Sequence, residues 1–334
     1  MRRLLVLCAL LLLVAAPAAA AEKSATIGYQ LIFNPWKIAM AEGWFEEATG
    51  WELDFRQFDS GSKVLPALAS GDVDIALGGS TPVATATSSG LPVELFWINE
   101  AIEGAEALVV RDGSGIVAPQ DLRGKTIGVP FVSTTHFHTL FALEQFGIPE
   151  SEVRLLNLQP NAITAAWKRG DIDAAFVWSP ALDRIMENGK VLITSGQLGD
   201  WGKPTFDGLM ARTDFSRENP EFMVEFVKVL ARTSALYRDN PEAFTPDSKE
   251  VKAIVSMVGG NAGDVPTVLS RYGFPSLEEQ VSCQWLGCGE DGGAARALTA
   301  TAKFLKSQKK IPQVAESYAK FVNPEWAERA LQER

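Results

Sequence analysis

Apolar and polar positions change period again and again along this chain. Residues 25–29 ("ATIGY"), 73–79 ("VDIALGG") and 93–99 ("VELFWIN") are short apolar runs, and 51–58 ("WELDFRQF") alternates. These read as strands. Between them, "PWKIAMAEGWFEEATG", "SGSKVLPALASG" and "TPVATATSSG" carry helical spacing. The first of these opens on Pro35 and stops at Gly50, which predicts one helix over that stretch. The pattern restarts at 107 with "ALVVRD", "KTIGV", "VRLLNL" and "IDAAFVW" as strands. "STTHFHTLFALEQFGI", "AITAAWKRG" and "SPALDRIMENG" are its helices, and "GLMART" is a further strand. From about Asn219 onward the spacing is almost wholly helical, including "VAESYAKFV" near the end. Strands alternating with helices of this length predict α/β units with helices on both faces of each sheet. The units fall near 22–108 and 109–211, with a mostly helical tail.

The two units share a corner. "SGDVDIALGGSTP" begins at Ser70 and "RGDIDAAFVWSPA" at Arg169; Gly71 and Gly170, Asp72 and Asp171, Asp74 and Asp173, and Ser80 and Ser179 are each 99 residues apart. In both, a Gly stops a helix, a buried strand follows, and a Ser-containing turn leads into the next helix. The repeated acids mark the helix stop and strand start. Ligands of open α/β sheets bind beyond the carboxyl ends of strands, where helix N-termini point. Two such units facing each other form a cleft lined by helix N-termini.

Composition narrows the class. Arg2 and Arg3, the apolar run Leu4–Val14 and four alanines at 18–21 form a secretory signal peptide, residues 1–21, cut near Ala20 or Ala21. The apolar run is too short to span a bilayer, and Cys8 lacks the small preceding residue of a lipid-anchor site. The protein is expected to be exported and soluble. Loss of Arg2 and Arg3 leaves 29 basic against 41 acidic side chains, a charge of -12. That surface repels nucleic acid and anionic membrane, yet leaves room for small anions held by backbone dipoles. Cys283 and Cys288, in "CQWLGC", are the cysteines left, and an oxidising compartment predicts a local disulfide.

Three loops have the make-up of anion cradles: "DSGS" with Ser60, "GGSTP" with Ser80 and Thr81, and "STTH" with Ser133, Thr134 and Thr135. Each sets hydroxyls just before a helix, where free N–H groups favour an oxyanion. Capping accounts for any one of them alone; three in one frame point to a ligand. With little basic character and no phosphate loop, they suit a singly charged anion better than a polyphosphate. Asp207 in "PTFDGLM" and Glu106 in "GAEALVV" interrupt apolar strands where the chain passes between units, and Glu100 is a third candidate. Carboxylates placed there can balance a ligand cation. Trp178 stands where the first corner has Gly79, so the two walls differ there; Phe33, Trp36, Trp97, Phe131 and Trp201 are further aromatic candidates. The only histidines, His136 and His138, lack the partners of a catalytic triad or metal site, so no enzyme, cofactor or metal is expected.

Several segments together are similar to one family. They are "FDSGS", "ALASGDVDIALGGSTP", "EALVV", "GKTIGVPFVSTTHFH", "LLNLQPNAITAAWKRGDIDAAFVWSPA", "WGKPTFD" and "FLKSQKKIP". The chain resembles the taurine-binding periplasmic proteins, the substrate-binding components of ABC importers for sulfonates. The resemblance implies a two-lobe type II periplasmic-binding-protein fold: lobe 1 from 22–108 plus 212–334, lobe 2 from 109–211. It implies a sulfonate held by Ser60, Ser80, Thr81, Ser133, Thr134 and Thr135, an amine held by Asp207 and Glu106, and Trp178 as a wall. Partners would be the small-molecule ligand and the ABC permease with its ATPase subunits, the binding protein acting as a monomer. "LIFNP", "WINEAIEG" and "CQWLGC" depart from the family pattern, the first two beside the expected cleft. Alternatives are an alkanesulfonate, sulfate ester, aminophosphonate or thiamine precursor as ligand, or a pyrimidine-synthase-like enzyme of the same fold using His136.

Overall fold

The strands sort into two sheets with the same internal order. The computed structural model describes residues 23–333, so the expected signal peptide and its cleavage site lie outside the described residues. The strands are β1 (Ser24–Gln30), β2 (Glu52–Phe58), β3 (Ile75–Gly79), β4 (Val93–Ile102), β5 (Glu106–Arg111) and β6 (Thr126–Val129). They continue as β7 (Arg154–Asn157), β8 (Ala174–Trp178), β9 (Gly189–Thr194), β10 (Thr205–Arg212) and β11 (Tyr272–Gly273). One sheet runs β11-β4-β10-β3-β1-β2 and the other β7-β6-β8-β5-β9. In each, three parallel strands meet one antiparallel strand: β10 against β3 in the first, β5 against β8 in the second. Helices cover both sheets, giving a two-lobe α/β fold with a helical C-terminal region.

The repeated corner is the structural signature of this doubling. Asp74 Oδ2 accepts the Thr26 N–H at 2.9 Å, and Asp173 Oδ2 accepts the Thr126 N–H at 2.9 Å. Arg212 lies 3.5 Å from Asp74 and Arg111 lies 3.9 Å from Asp173, each Arg ending the antiparallel strand of its sheet. Gly71 and Gly170 hold φ of 82° and 77°, a left-handed helix stop that favours glycine. The repeated acids therefore tie the start of one parallel strand to the next and keep away from the cleft.

The lobes exchange the chain between β4 and β5, at 103–105, and between β9 and β10, at 195–204. Both crossings come earlier than the breaks at 108 and 211 expected from the pattern. The apolar runs of β5 and β10 predict buried strands but not which sheet receives them. The helix expected from Pro35 to Gly50 is two helices, Trp36–Glu42 and Trp44–Thr49, because Gly43 (φ 70°) caps the first. "VAESYAKFV" forms no α-helix but a short 3-10 turn at Ala319–Phe321 and a single bridge from Val322 to Leu95. The strand β9 and the helix Ser195–Asp200 were not expected. The tail reaches both lobes: the helix Gly293–Ser307 packs on the helix Ser80–Ser88, and its Phe304 meets Phe137 at 5.2 Å. Cys283 and Cys288 are bonded, with Cα atoms 5.0 Å apart. Among the described residues, no helix is long and apolar enough to cross a membrane.

Candidate functional site

Strand register sets the acids. Asp207 on β10 lies opposite Gly79 on β3 and Glu100 on β4. On β5, Glu106 lies opposite Trp178 on β8. Paired residues of antiparallel strands put their side chains on one face, so each lobe presents one row to the cleft. A narrow cavity between the rows is lined by Gln30, Ile32, Gly61, Gly79, Pro82, Glu106, Ser133, Thr134, Trp178 and Asp207. It lies past the carboxyl ends of parallel strands of both sheets, at the starts of the helices Gly61–Ser70, Ser80–Ser88 and Thr134–Gln145. A wider groove along Gly293–Ser307 opens to solvent on the outer face. The buried acids converge on the narrow cavity instead.

Close backbone approach makes the cradle. A Cβ on Gly61 would stand 2.9 Å from Pro82 and 3.1 Å from the Gly78 Cα, so two helix starts meet there without side chains between them. Ser80 and Thr81 are fully buried, and their hydroxyls have no hydrogen-bond partner among the described residues. Buried hydroxyls are ordinarily paired; these two stand in the first turn of a helix, where N–H groups also point outward. Ser60 is buried and its hydroxyl contacts that of Ser62 at 3.1 Å, while Ser62 donates to the Phe131 carbonyl across the cleft at 3.2 Å.

The second lobe uses its hydroxyls differently. Ser133 caps its helix by accepting the His136 N–H at 3.1 Å, donates to the Pro130 carbonyl, and touches the Thr135 hydroxyl at 2.8 Å. Thr134 donates to Glu106 Oε1 at 2.5 Å, and the Ser195 hydroxyl lies 3.0 Å from Glu106 Oε2. Thr134 therefore sits against the acid rather than free in a cradle. Glu106, Ser133, Thr134, Trp178 and Asp207 reach the cavity; Ser60, Ser80, Thr81 and Thr135 stand in the turns just behind it. Of the other aromatic candidates, Trp201 is half exposed and packs edge-on against Phe146, outside the cleft. His136 stacks on Phe131 at 4.4 Å, and its Nδ1 accepts the Val132 N–H at 3.3 Å.

The electrostatics are those of a crowded, dry site. Burial and the neighbouring Asp207 charge raise Glu106 to about 8. Burial raises Asp207 to about 7 against a hydrogen bond with Glu100 and the charge of Lys37. Glu100 is pushed up by burial and by Asp207; Asn34 donates to it at 3.1 Å, and Asn99 also donates. Lys37 is fully buried over the rings of Trp36 and Tyr29, at 4.4 and 5.0 Å, without a hydrogen-bond partner among the described residues. Burial lowers it to about 7. Three carboxyls and one ammonium in one dry volume leave negative charge to be balanced, by protons or by a cation from outside. Sequence reading missed Lys37, Asn34, Gln30 and Ser195. The available signal was Lys37 itself, a lysine on the apolar face of "PWKIAM".

The family model NMT1/THI5 like matches residues 33–244. The taurine-binding periplasmic protein of Escherichia coli K12 is 40% identical over 90% of this chain and 91% of its own. The periplasmic aliphatic sulphonate binding protein SsuA of Escherichia coli superposes with a TM-score of 0.72 at 19% identity, covering 92% of this chain and 99% of its own. The desulfurization enzyme DSZB has the same fold, with a TM-score of 0.65 at 17% identity over 93% of this chain and 99% of its own. Fold alone thus fits a binder or an enzyme, and the much higher identity lies with a binding protein. The chain belongs to the NMT1/THI5-like family and, within it, is a homologue of the periplasmic taurine- and sulfonate-binding proteins of ABC importers.

Proposed function

We propose that this protein captures taurine, or a closely related small aminosulfonate, and hands it to an ABC permease. The observation that carries this is one cavity lined by buried acids of both lobes, with buried hydroxyls in the helix starts just behind it. Ser80 and Thr81, whose buried hydroxyls have no hydrogen-bond partner among the described residues, stand at a helix start, with Ser60 nearby. Buried acids from both lobes, Asp207 and Glu106, line the cavity itself. A zwitterion satisfies both: its sulfonate takes neutral donors and helix N–H groups, its ammonium takes the carboxylates, and Trp178 closes the side. Ser133 and Thr135 support the turn that holds Thr134 against Glu106. No bond is made or broken; contact with both lobes at once favours the closed form. The protein is read as an exported monomer of the periplasm, matured by removal of residues 1–21, with the permease and its ATPase subunits as partners. The same relatives favour binding over catalysis.

The test is titration calorimetry with taurine and with ethanesulfonate, which lacks the amine. Taurine is expected to bind at least tenfold more tightly. Asp207→Asn is expected to weaken taurine by about 2–4 kcal/mol, the cost of stranding a buried charge, while leaving ethanesulfonate nearly unaffected. Equal affinities for the two ligands would overturn the amine assignment.

A further inference from the structure

We propose that Ser195 and His138 form a proton relay behind Glu106, which keeps that carboxyl neutral until the ligand's ammonium arrives and then lets it ionise without exchanging a proton with solvent. The proposal rests on the reading that an ammonium meets Glu106. Its basis is a count of hydrogens along a buried chain of contacts. Glu106 Oε2 lies 3.0 Å from Ser195 Oγ. Ser195 Oγ lies 2.8 Å from His138 Nδ1, and His138 Nε2 lies 2.8 Å from the Lys203 carbonyl oxygen. Ser195 and His138 are fully buried and Glu106 is 3% exposed.

A carbonyl only accepts, so His138 Nε2 carries a hydrogen. Ser195 has a single hydroxyl hydrogen for two neighbours. Only two arrangements then pair every group. In the first, protonated Glu106 donates to Ser195, which donates to the bare Nδ1 of a neutral imidazole. In the second, an imidazolium Nδ1–H donates to Ser195, which donates to the Glu106 carboxylate. They interconvert when the Glu106 proton passes to Ser195 Oγ while the serine's own proton passes to Nδ1. Protons and net charge are conserved, and no co-reactant is needed. Thr134 donates to Oε1 in both.

The surroundings choose between them. Around His138 stand the rings of Phe137 and Phe176, at 5.3 and 6.1 Å, which disfavour an imidazolium; the Lys203 ammonium is turned away over Phe141. Around Glu106, burial and the charge of Asp207 disfavour a carboxylate; the nearby Tyr272 is itself held neutral by burial and by the charges of Asp207, Glu100 and Glu106, and Lys37 acts on Asp207. Burial accordingly holds His138 down at about 4 and Glu106 up at about 8, the neutral arrangement. A ligand ammonium against Glu106 reverses the balance. His138 is thus a positioning residue that sets the charge of the residue touching the ligand.

The chain has two histidines, so nitrogen NMR of labelled imidazole resolves the relay, with His136→Gln supplying the assignment. At pH 6.5 the free protein should show His138 neutral with its proton on Nε2, and saturating taurine should protonate both ring nitrogens. Taurine binding detected by thermal shift with His138 still neutral overturns the proposal. A ligand-free arm stands apart from the taurine reading. As pH rises from 6 to 9, Glu106 ionises and draws the Ser195 hydrogen away, so the Nδ1 signal should move in the wild type and stay fixed in Glu106→Gln. Identical Nδ1 titrations in the two proteins overturn the relay whatever the ligand is; absence of taurine binding sinks the proposed function alone. His138→Asn retains an acceptor toward Ser195 but cannot take the proton. Its taurine affinity should gain an extra factor of about ten per pH unit between 6 and 7.5, relative to the wild-type slope; an unchanged slope overturns the proposal.

Discussion

Gly79 has φ of -66°, which any residue adopts, yet a Cβ there would stand 2.6 Å from Thr134 Cγ2 of the other lobe and 3.2 Å from Asp207 Oδ1. The glycine is needed for closure, not for the turn. Gly79→Ala is therefore expected to weaken taurine by roughly ten- to a hundredfold, about 1.4–2.7 kcal/mol. Melting of the ligand-free protein should shift by less than about 3 °C. A large loss of stability with intact affinity would show that the glycine serves the fold alone. At this scale the sequence was legible where a residue broke a pattern. Glu106 and Asp207 interrupt apolar strands, and Trp178 replaces Gly79 in the second corner. Lys37 broke its pattern as visibly, but nothing local said which charges lay opposite it, because Glu100 and Asp207 come from strands 63 and 170 residues further on. Thr134 read as a cradle hydroxyl, and only the second lobe's packing turns it onto Glu106.

Among elements, the duplicated corner is the clearest case of one sequence device serving twice. Each Asp accepts a strand N–H at 2.9 Å and faces an Arg that ends the antiparallel strand. Loss of a partly buried acceptor leaves that N–H unpaired, at about 1–2 kcal/mol. Asp173→Ala and Asp74→Ala should each lose about that much in urea unfolding while keeping taurine affinity within about threefold. A fall in affinity without a fall in stability would assign these acids to the ligand. The 99-residue echo was readable because both copies need the same left-handed glycine, buried strand and acid. The break at Gly43 was harder to read, since both flanking helices are short and their residues run on as one continuous helical pattern. "VAESYAKFV" failed for the opposite reason: its helical spacing is overridden by packing, with Tyr318 buried and its hydroxyl contacting Ser88.

For the whole molecule, the cost of burying acids appears as a pH dependence. Glu106 ionises near its ordinary value of 4.5 when unfolded and at about 8 when folded, so the folded state holds the extra proton across that window. Stability from this group is fully present below about 4.5 and is lost as pH rises toward 8, by up to about 1.4 kcal/mol per pH unit. Asp207, raised to about 7, acts in the same direction. His138 and His136, both lowered to about 4, act oppositely between 4 and 6.5, and Lys37, lowered to about 7, acts oppositely above 7, so the fall should be steepest between about 6.5 and 7. Urea unfolding at several pH values should show this fall, and Glu106→Gln should flatten it; an unchanged slope in that variant would place the carboxyl in water. By itself the sequence determined the α/β class, the doubled unit, the turns that hold glycine and hydroxyls, and the acids that interrupt strands. Each of these is a matter of local period, backbone conformation or a single residue out of place. Tertiary structure alone decided which sheet receives β5 and β10, that the tail reaches both lobes, and that Lys37, Ser195 and His138 gather around the acids. Those outcomes depend on pairings between distant segments, and a proton shared along Glu106, Ser195 and His138 exists only once three separate elements have packed together.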